Sequence, residues 1–221
     1  MNTAPATSLS IVSFNLGPAL TNAYLVGNSE VGTAVVIDPA WDGKVIAAEA
    51  ARRNWRITDI WLTHAHFDHF GGAGAVSDSG EAPIPVALHP DDQPLWRAMG
   101  GASWFGMTEF DPGPEPTIPL SHGMRLRALG REIEVRHTPG HSPGHVVFVF
   151  AEDKRVVCGD LIFEAGVGRT DLPGGDWDTL LRSIRDQIFT LPEDTVLLPG
   201  HGRPTTVGRE RAANPFLQGD L

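Results

Sequence analysis

Short apolar runs alternate with turn residues along most of this chain, and their period changes from strand to helix more than once. Ser8 to Phe14 and Asn22 to Val26, separated by Gly17-Pro18, read as an antiparallel pair of strands. Thr33 to Ile37 is a third strand, ending in Asp38-Pro39. From Gly43 to Asn54 the apolar positions Val45, Ile46, Ala48, Ala50 and Ala51 mark an amphipathic helix. Arg52, Arg53 and Arg56 lie near its C-terminal end, where the helix dipole favours cations. Ile57 to Leu62 reads as a buried strand, followed by a polar loop, Gly71-Gly72 and a short helix to about Ser77. The glycines are expected to let the chain turn tightly into that helix.

The second half repeats the theme. Pro85 to Leu88 is a strand, and Asp91 to Met99 begins a helix. Gly100 to Pro119 has no clear period but carries Trp104, Phe105, Met107 and Phe110. Long irregular loops in compact domains are usually functional or disordered, and this aromatic content argues against disorder. The segment is read as a wall against a substrate's apolar part, with Phe105 as the candidate contact, or equally as packing or a subunit contact. Met124 to Leu129 and Glu132 to Arg136 form a hairpin around Gly130. Val146 to Phe150, Arg155 to Cys158 and Thr195 to Leu198 are strands. Asp176 to Thr190 is an amphipathic helix through Leu180, Leu181, Ile184 and Ile188, and Thr205 to Ala213 is a final helix. Two halves, each of strands followed by helices, meet near residue 120. That arrangement predicts a sandwich of two sheets with outer helices and a site at one edge between the halves.

The chemistry concentrates where these strands end. His64-Ala65-His66-Phe67-Asp68-His69 packs three imidazoles and a carboxylate into six residues. Imidazole and carboxylate suit borderline first-row metals. Four such groups so close cannot all reach one ion. His64 and His66 can point the same way on an extended segment, leaving Asp68 and His69 for a second position about 3.5–4 Å away, the spacing of two-metal hydrolytic sites. The competing reading is a polar loop in which Asp68 caps the next helix. Three later strand ends add polar residues. His141 sits between two turns in Thr138-Pro139-Gly140-His141-Ser142-Pro143-Gly144-His145, Asp160 follows Gly159, and His201 stands between Gly200 and Gly202. Asp160 can bridge two cations through its two oxygens. Asp38 is either a turn residue or a carboxylate that orients a ligand histidine. His145 is more readily structural than a ligand, His89 is left outside the site, and His122 and His137 have ordinary readings as strand residues. Arg169, in Gly168-Arg169-Thr170-Asp171, could grip a substrate carboxylate or simply pair with Asp171 or Asp176.

Composition narrows the classes. The chain has 221 residues, 41% of them hydrophobic, and a formal net charge of −10 with no Lys/Arg cluster, which argues against nucleic acid as a main partner. One cysteine, Cys158, forbids an intrachain disulfide and reads as a buried core thiol. The first ten residues lack the basic and apolar regions of a leader, and no apolar run approaches the ~18 residues of a membrane span. The expectation is a soluble cytoplasmic protein acting on a small molecule.

In order, His64-x-His66-x-Asp68-His69, His141, Asp160 and His201 resemble the metallo-β-lactamase superfamily over nearly the whole chain. The resemblance implies an α/β fold, an αββα four-layer sandwich in a single domain spanning 1–221. It implies two divalent ions, zinc first, with iron or manganese also compatible with an all-N/O donor set. His64, His66 and His141 would hold one ion, Asp68, His69 and His201 the other, and Asp160 both. Within the superfamily, the 138–145 stretch, Gly168-Arg169-Thr170-Asp171 and Asn214-Pro215-Phe216-Leu217 are most similar to short glyoxalase II-like hydrolases. These imply hydrolysis of a thioester such as S-lactoylglutathione by a hydroxide shared between the ions, with Asp68 orienting it. Full-length glyoxalase II has a further C-terminal helical domain for glutathione, which is not expected in a chain ending at Leu221. One class of β-lactamases carries Cys where this chain has Asp160, which disfavours β-lactam cleavage. The rival class is the persulfide dioxygenases, which resemble the same fold and use one iron on the equivalents of His64, His141 and Asp160. They typically carry a small residue at the position of Phe67.

Overall fold

The computed structural model describes residues 9–107 and 110–218. Strand β2 (Thr21–Asn28) is buried at all eight positions. Its edges are paired with β1 (Ser10–Leu16) and β3 (Thr33–Ile37), both antiparallel. From β3 the sheet continues in parallel through β4 (Arg56–Trp61), β5 (Val86–Leu88) and β6 (Ile118–Pro119). Parallel neighbours require crossovers. Helix α1 (Gly43–Arg52) makes the first, and α2 (Phe67–Phe70) with α3 (Ala73–Ser77) the second. Helix α4 (Gln93–Arg97) lies in the connection to β6. The second sheet orders β14-β13-β10-β9-β8-β7. It consists of β7 (Arg125–Ala128), β8 (Arg131–His137), β9 (Val146–Phe150), β10 (Arg155–Gly159), β13 (Val196–Pro199) and β14 (Thr205–Thr206). A small hairpin of β11 (Ile162–Phe163) and β12 (Gly166–Val167) and helix α5 (Trp177–Ser183) fill the β10–β13 crossover, and α6 (Val207–Ala213) follows β14.

The period-2 alternation of a strand assigns each residue to a layer. Tyr24, Val26, Val35 and Ile37 enter the core between the sheets, while their neighbours Ala23, Leu25, Ala34 and Val36 face α1 and α3. On the other sheet Val146, Phe148 and Phe150 face inward and Val147 and Val149 face α5 and α6. Trp61 and Phe148 meet across the middle at 5.2 Å between ring centroids. Each large side chain buried this way contributes about 1.5–3 kcal/mol, so the three apolar layers hold the sheets against each other. The result is the expected αββα sandwich, with the sheets divided near residue 120. Among the described residues no helix is long and apolar enough to cross a membrane.

Four local expectations change. Asp68 and His69 lie on a one-turn helix, α2, rather than on a loop. Neither Gly71 (φ −59°) nor Gly72 (φ −99°) adopts a turn conformation that favours glycine. They are close-approach sites instead: a Cβ on Gly71 would lie 2.9 Å from the Ala40 carbonyl oxygen, and one on Gly72 2.7 Å from that of Pro39. The 176–190 helix holds its apolar face, but from Ile184 to Ile188 it widens to a π turn, with Phe189 N–H donating to the Ile184 carbonyl at 3.0 Å. Thr205 and Thr206 pair with β13, so the last helix starts at Val207, capped by the Thr206 hydroxyl. Ser8 and residues 108 and 109 of the irregular segment lie outside the described residues.

Candidate metal centre

The site forms at the C-terminal ends of the two parallel strand pairs, β3/β4 and β10/β13, the usual place for a site in an open α/β sheet. Asp38, at φ +49° just after β3, is the organiser on one side. Its Oδ1 accepts from Thr63 N–H at 2.8 Å, and its Oδ2 accepts from the Thr63 hydroxyl at 2.7 Å. Oδ2 also meets His69 Nδ1 at 3.0 Å. The orienting role therefore holds for Asp38, beyond a turn. Because His69 Nδ1 donates to Asp38, its Nε2 is turned into the site.

The same reasoning fixes two more rings. The Thr63 hydroxyl spends its proton on Asp38, so at 3.0 Å it accepts from His64 Nδ1–H. His141 Nδ1–H donates to the Arg169 carbonyl at 2.7 Å. Both Nε2 atoms are then bare lone pairs, and they face each other at 3.2 Å. His66 Nδ1 completes the group 2.9 Å from His141 Nε2. Lone pairs so close repel unless a cation lies among them. The spacing is near the roughly 3.3 Å edge of a tetrahedron with 2.0–2.1 Å zinc–nitrogen bonds. The donor set therefore fits a metal ion.

A second group adjoins the first. His201 Nε2 lies 3.3 Å from Asp68 Oδ2, and His69 Nε2 lies 3.5 Å from the same oxygen. Asp160 stands between the groups. Its Oδ1 is 3.4 Å from His69 Nε2, and its Oδ2 is 3.4 Å from His201 Nε2 and 3.7 Å from His141 Nε2. Three overlapping triads could each hold an ion: His64/His66/His141, His64/His69/Asp160 and Asp68/His69/His201. Buried side-chain polar atoms without a hydrogen-bond partner among the described residues are His66 Nε2, His69 Nε2, His145 Nε2, Asp160 Oδ1 and the distant Trp96 Nε1. Of these, His69 Nε2 and Asp160 Oδ1 face each other at 3.4 Å in the second group, and His66 Nε2 is not the ring nitrogen that meets His141.

The electrostatics of the two groups are opposite. Burial, and then the neighbouring imidazoles, hold His64 well below the usual histidine range. His66 is pushed down to about 3 by burial and His141. Burial also lowers His201 and His69, but the carboxylates prevail. Asp160 and Asp68 push His201 up to about 9, and Asp68, Asp160 and Asp38 hold His69 well above its ordinary value. Burial raises Asp68 and Asp160, yet His69 and His201 outweigh it, leaving Asp68 at about 2 and Asp160 well below the carboxylate range.

All seven strand-end residues come together. The other candidates separate. The Arg169 guanidinium is taken by Asp171, with bonds of 2.7 and 2.8 Å, so the pairing reading holds and its backbone carbonyl is the part that serves the site. Phe105 is 48% exposed, with its ring 5.5 Å from Phe67 at the edge of the centre. His145 is fully buried, held through Nδ1 by the Thr138 hydroxyl at 2.8 Å. His89 stacks on His137 at 4.2 Å, in a separate group with Asp91. Cys158 is buried, which pushes its thiol far above the usual range. Sequence reasoning missed Thr21, whose hydroxyl donates to Asp68 Oδ2 at 2.7 Å. It also missed Asn22 and Tyr24, which donate to the Pro199 carbonyl at 3.0 and 2.6 Å and so hold the loop that presents His201. No local pattern signals these, since they act across 47 and 175–177 residues of chain.

Residues 16–201 match the metallo-beta-lactamase superfamily, and the chain belongs to this superfamily of metal-dependent hydrolases. "Probable metallo-hydrolase YqgX" of Bacillus subtilis is 37% identical over 206 residues, covering 92% of this chain and 95% of the relative. Hydroxyacylglutathione hydrolase GloC of Haemophilus influenzae is 33% identical over 196 residues, covering 89% and 92%. Among solved structures, BLEG-1 B3 metallo-beta-lactamase superposes with a TM-score of 0.89 at 37% identity, over 95% of this chain and 100% of its own. TTHA1623 in a di-iron-bound form gives 0.83 at 40% identity, over 93% and 100%. ETHE1 from Myxococcus xanthus gives 0.76 at 26% identity, over 93% and 83%.

Proposed function

We propose that this protein is a binuclear thioester hydrolase that cleaves S-2-hydroxyacylglutathione, such as S-lactoylglutathione, or a related thioester to a hydroxy acid and a free thiol. His64, His66 and His141 would hold the first ion, Asp68, His69 and His201 the second, and Asp160 would touch both. Two divalent ions there supply a Lewis acid for the carbonyl oxygen and lower the pKa of water toward ~7. Zinc is the expected occupant, and the di-iron form of TTHA1623 supports iron as the other.

The observation that carries the reading is how the site's acid–base groups are already engaged. Asp68 is anionic and fixed by Thr21, which suits it to orient the attacking water. His145 is locked on Thr138 and closed off from solvent. Among the described residues, none is left over at the site to protonate a leaving amine. A thiolate, with an ordinary pKa of about 8.5, departs without such a donor. The likeness to GloC supports the same substrate class. The BLEG-1 likeness favours a second reading, β-lactam hydrolysis, which requires protonation of a poor nitrogen leaving group.

Elemental analysis of the purified protein, alongside assays with S-lactoylglutathione, a β-lactam and glutathione persulfide, tests this. About two metals per chain with thioester cleavage is the expected result. β-Lactam cleavage without thioester cleavage would put the second reading in its place. One iron per chain with oxygen uptake on the persulfide would overturn both hydrolytic readings in favour of a dioxygenase.

A further inference from the structure

Asp92 belongs to none of the strand-end motifs. It closes the single 3-10 turn Pro90–Asp92 after β5, and it is fully buried. Its carboxylate is satisfied by donors from two separate loops. Oδ2 accepts from Ala65 N–H at 2.9 Å and from the Ser142 hydroxyl at 2.8 Å, and Oδ1 accepts from Gly144 N–H at 2.6 Å. Ala65 lies between His64 and His66. Ser142 directly follows His141, and Gly144 precedes His145. All three of these donors are neutral, so the carboxylate is buried in an arrangement that costs desolvation and needs every bond to be made.

Shape reinforces the bonding. A Cβ on Gly144 would lie 2.6 Å from Asp92 N and 2.9 Å from its Cγ, so the lack of a side chain at 144 lets the carboxylate reach the loop. His141 Nε2 must come within 2.9 Å of His66 Nδ1 and 3.2 Å of His64 Nε2, yet His64 and His66 hang from the end of one sheet and His141 from the end of a hairpin in the other. Asp92 grips the backbone of the first loop beside both of its histidines, and it grips the second loop beside the third. The residues of the other group are held by different partners, Asp38, Thr21 and Asn22.

We propose that Asp92 is a positioning residue of the metal centre: its buried carboxylate bolts the His64–His66 loop to the His141 loop and so sets the bite of the first three-histidine site, leaving the second site to other supports. The inference rests on the ligand assignment proposed above and not on the substrate.

The test is zinc affinity, measured by competition with a chromophoric chelator on metal-stripped protein. Asp92→Asn keeps the shape but replaces one acceptor oxygen with a donor, so at least one of the three bonds is lost. It is introduced into a His201→Ala background, which keeps the first site intact, and into a His66→Ala background, which keeps the second. Loss of a group supporting metal ligands typically weakens metal affinity about 10–100-fold, and that is the expected change in the His201→Ala background. In the His66→Ala background the change should stay below about threefold. Equal losses in both backgrounds would mean general destabilisation and overturn the proposal, as would unchanged affinity in both. If Asp92→Asn does not fold, Ser142→Ala removes one donor and should weaken the first site alone, by several-fold. A parent protein that binds two zinc ions but cleaves no thioester would sink the substrate reading and leave this inference standing. A parent that binds no zinc would overturn the ligand assignment and this inference together.

Discussion

The two halves of the metal centre solve one problem, gathering ligands at a sheet edge, with opposite electrostatics. The His64/His66/His141 group is all imidazole, buried, and held in its neutral form. The Asp68/His69/His201 group pairs imidazoles with carboxylates and keeps protons on its histidines, with the His201 side chain 30% exposed at the mouth. Without metal, the second group can satisfy itself by ion pairing. The first cannot, because bare nitrogens face each other at 3.2 Å. The first group is thus the one built for a cation in the strict sense, and the second is the one whose cation competes with protons. Asp160, in contact with both, couples them.

The largest effect should come from cutting that coupling. Asp160→Ala removes the carboxylate that, alone among the described residues, reaches His69, His141 and His201 together. Both ions should be lost, and with them several kcal/mol of transition-state stabilisation, so turnover should fall by roughly a thousandfold or more. Metal content and thioester turnover are measured together. A variant that kept two ions and full activity would sink the ligand assignment.

Asp38→Ala separates the halves more gently. It frees His69 Nδ1 and leaves the Thr63 N–H and hydroxyl without their acceptor. A buried donor left unpaired costs about 1–3 kcal/mol, so the folded state should lose a few kcal/mol in a denaturant melt. Activity should fall about 10–100-fold through misorientation of His69. Thr63 also accepts from His64, so some of the disturbance should reach the first group. An activity unchanged after this substitution would break the picture of Asp38 as the orienting carboxylate.

Protons sharpen the comparison further. In the metal-free protein His201, at about 9, and His69, well above its ordinary value, are protonated at pH 7 and must release protons to bind an ion. His66, at about 3, and His64 are already neutral. Filling the second site at pH 7 should therefore release one to two protons, and its affinity should rise with pH, by up to tenfold per unit for the His201 proton until about pH 9. The first site should release none above pH ~6.5. The metal-free fold shows the same division. The raised pKa of His201 adds stability that is fully present below about pH 6.5 and lost as pH rises through 9, whereas the lowered pKa of His66 costs stability as pH falls from about 6.5 toward 3. Calorimetric zinc titration in two buffers of different ionisation enthalpy counts the protons. Release of none at pH 7, or equal release at both sites, would contradict the asymmetry.

The seven converging residues were legible in the sequence because each lies in a short motif or turn that follows a strand, although Asp68 and His69 sit on the one-turn helix α2. The sandwich was legible because a strand's alternation commits Tyr24 and Leu25 to different layers before any contact is known. The supports were much less so. Asp38 carried an ambiguous signal, since a carboxylate after a strand also makes a turn. Thr21 and Asp92 carried none: their partners lie 27 to 52 residues away, and a lone Thr or Asp has no period or spacing to betray it. The widening of the 176–190 helix into a π turn was hidden as well, because its apolar face repeats as an ordinary helix would. What a sequence shows is the chemistry to be assembled. What holds it in place is a matter of tertiary bonds.

The smallest effect is expected at the rim, where apolar and charged candidates part company. Phe105 is half exposed beside Phe67, which itself packs near Trp41 and Phe110 at 6.3 and 6.4 Å. A ring so placed can cover the apolar part of a bound substrate. Truncating it forfeits roughly half of a buried aromatic's contribution, about 1 kcal/mol, so Phe105→Ala should raise KM about fivefold. The turnover number should hold, because contact far from the reacting carbonyl is uniform in the ground and transition states. Arg169→Ala provides the contrast. Its guanidinium is already committed to Asp171, and its carbonyl, which the substitution keeps, is what orients His141. An exposed pair of this kind is worth little, so KM should stay within about twofold. The reverse ranking, with Arg169→Ala raising KM more than Phe105→Ala, would mean that the substrate displaces Asp171 and is gripped by charge, and the aromatic edge would then be packing alone.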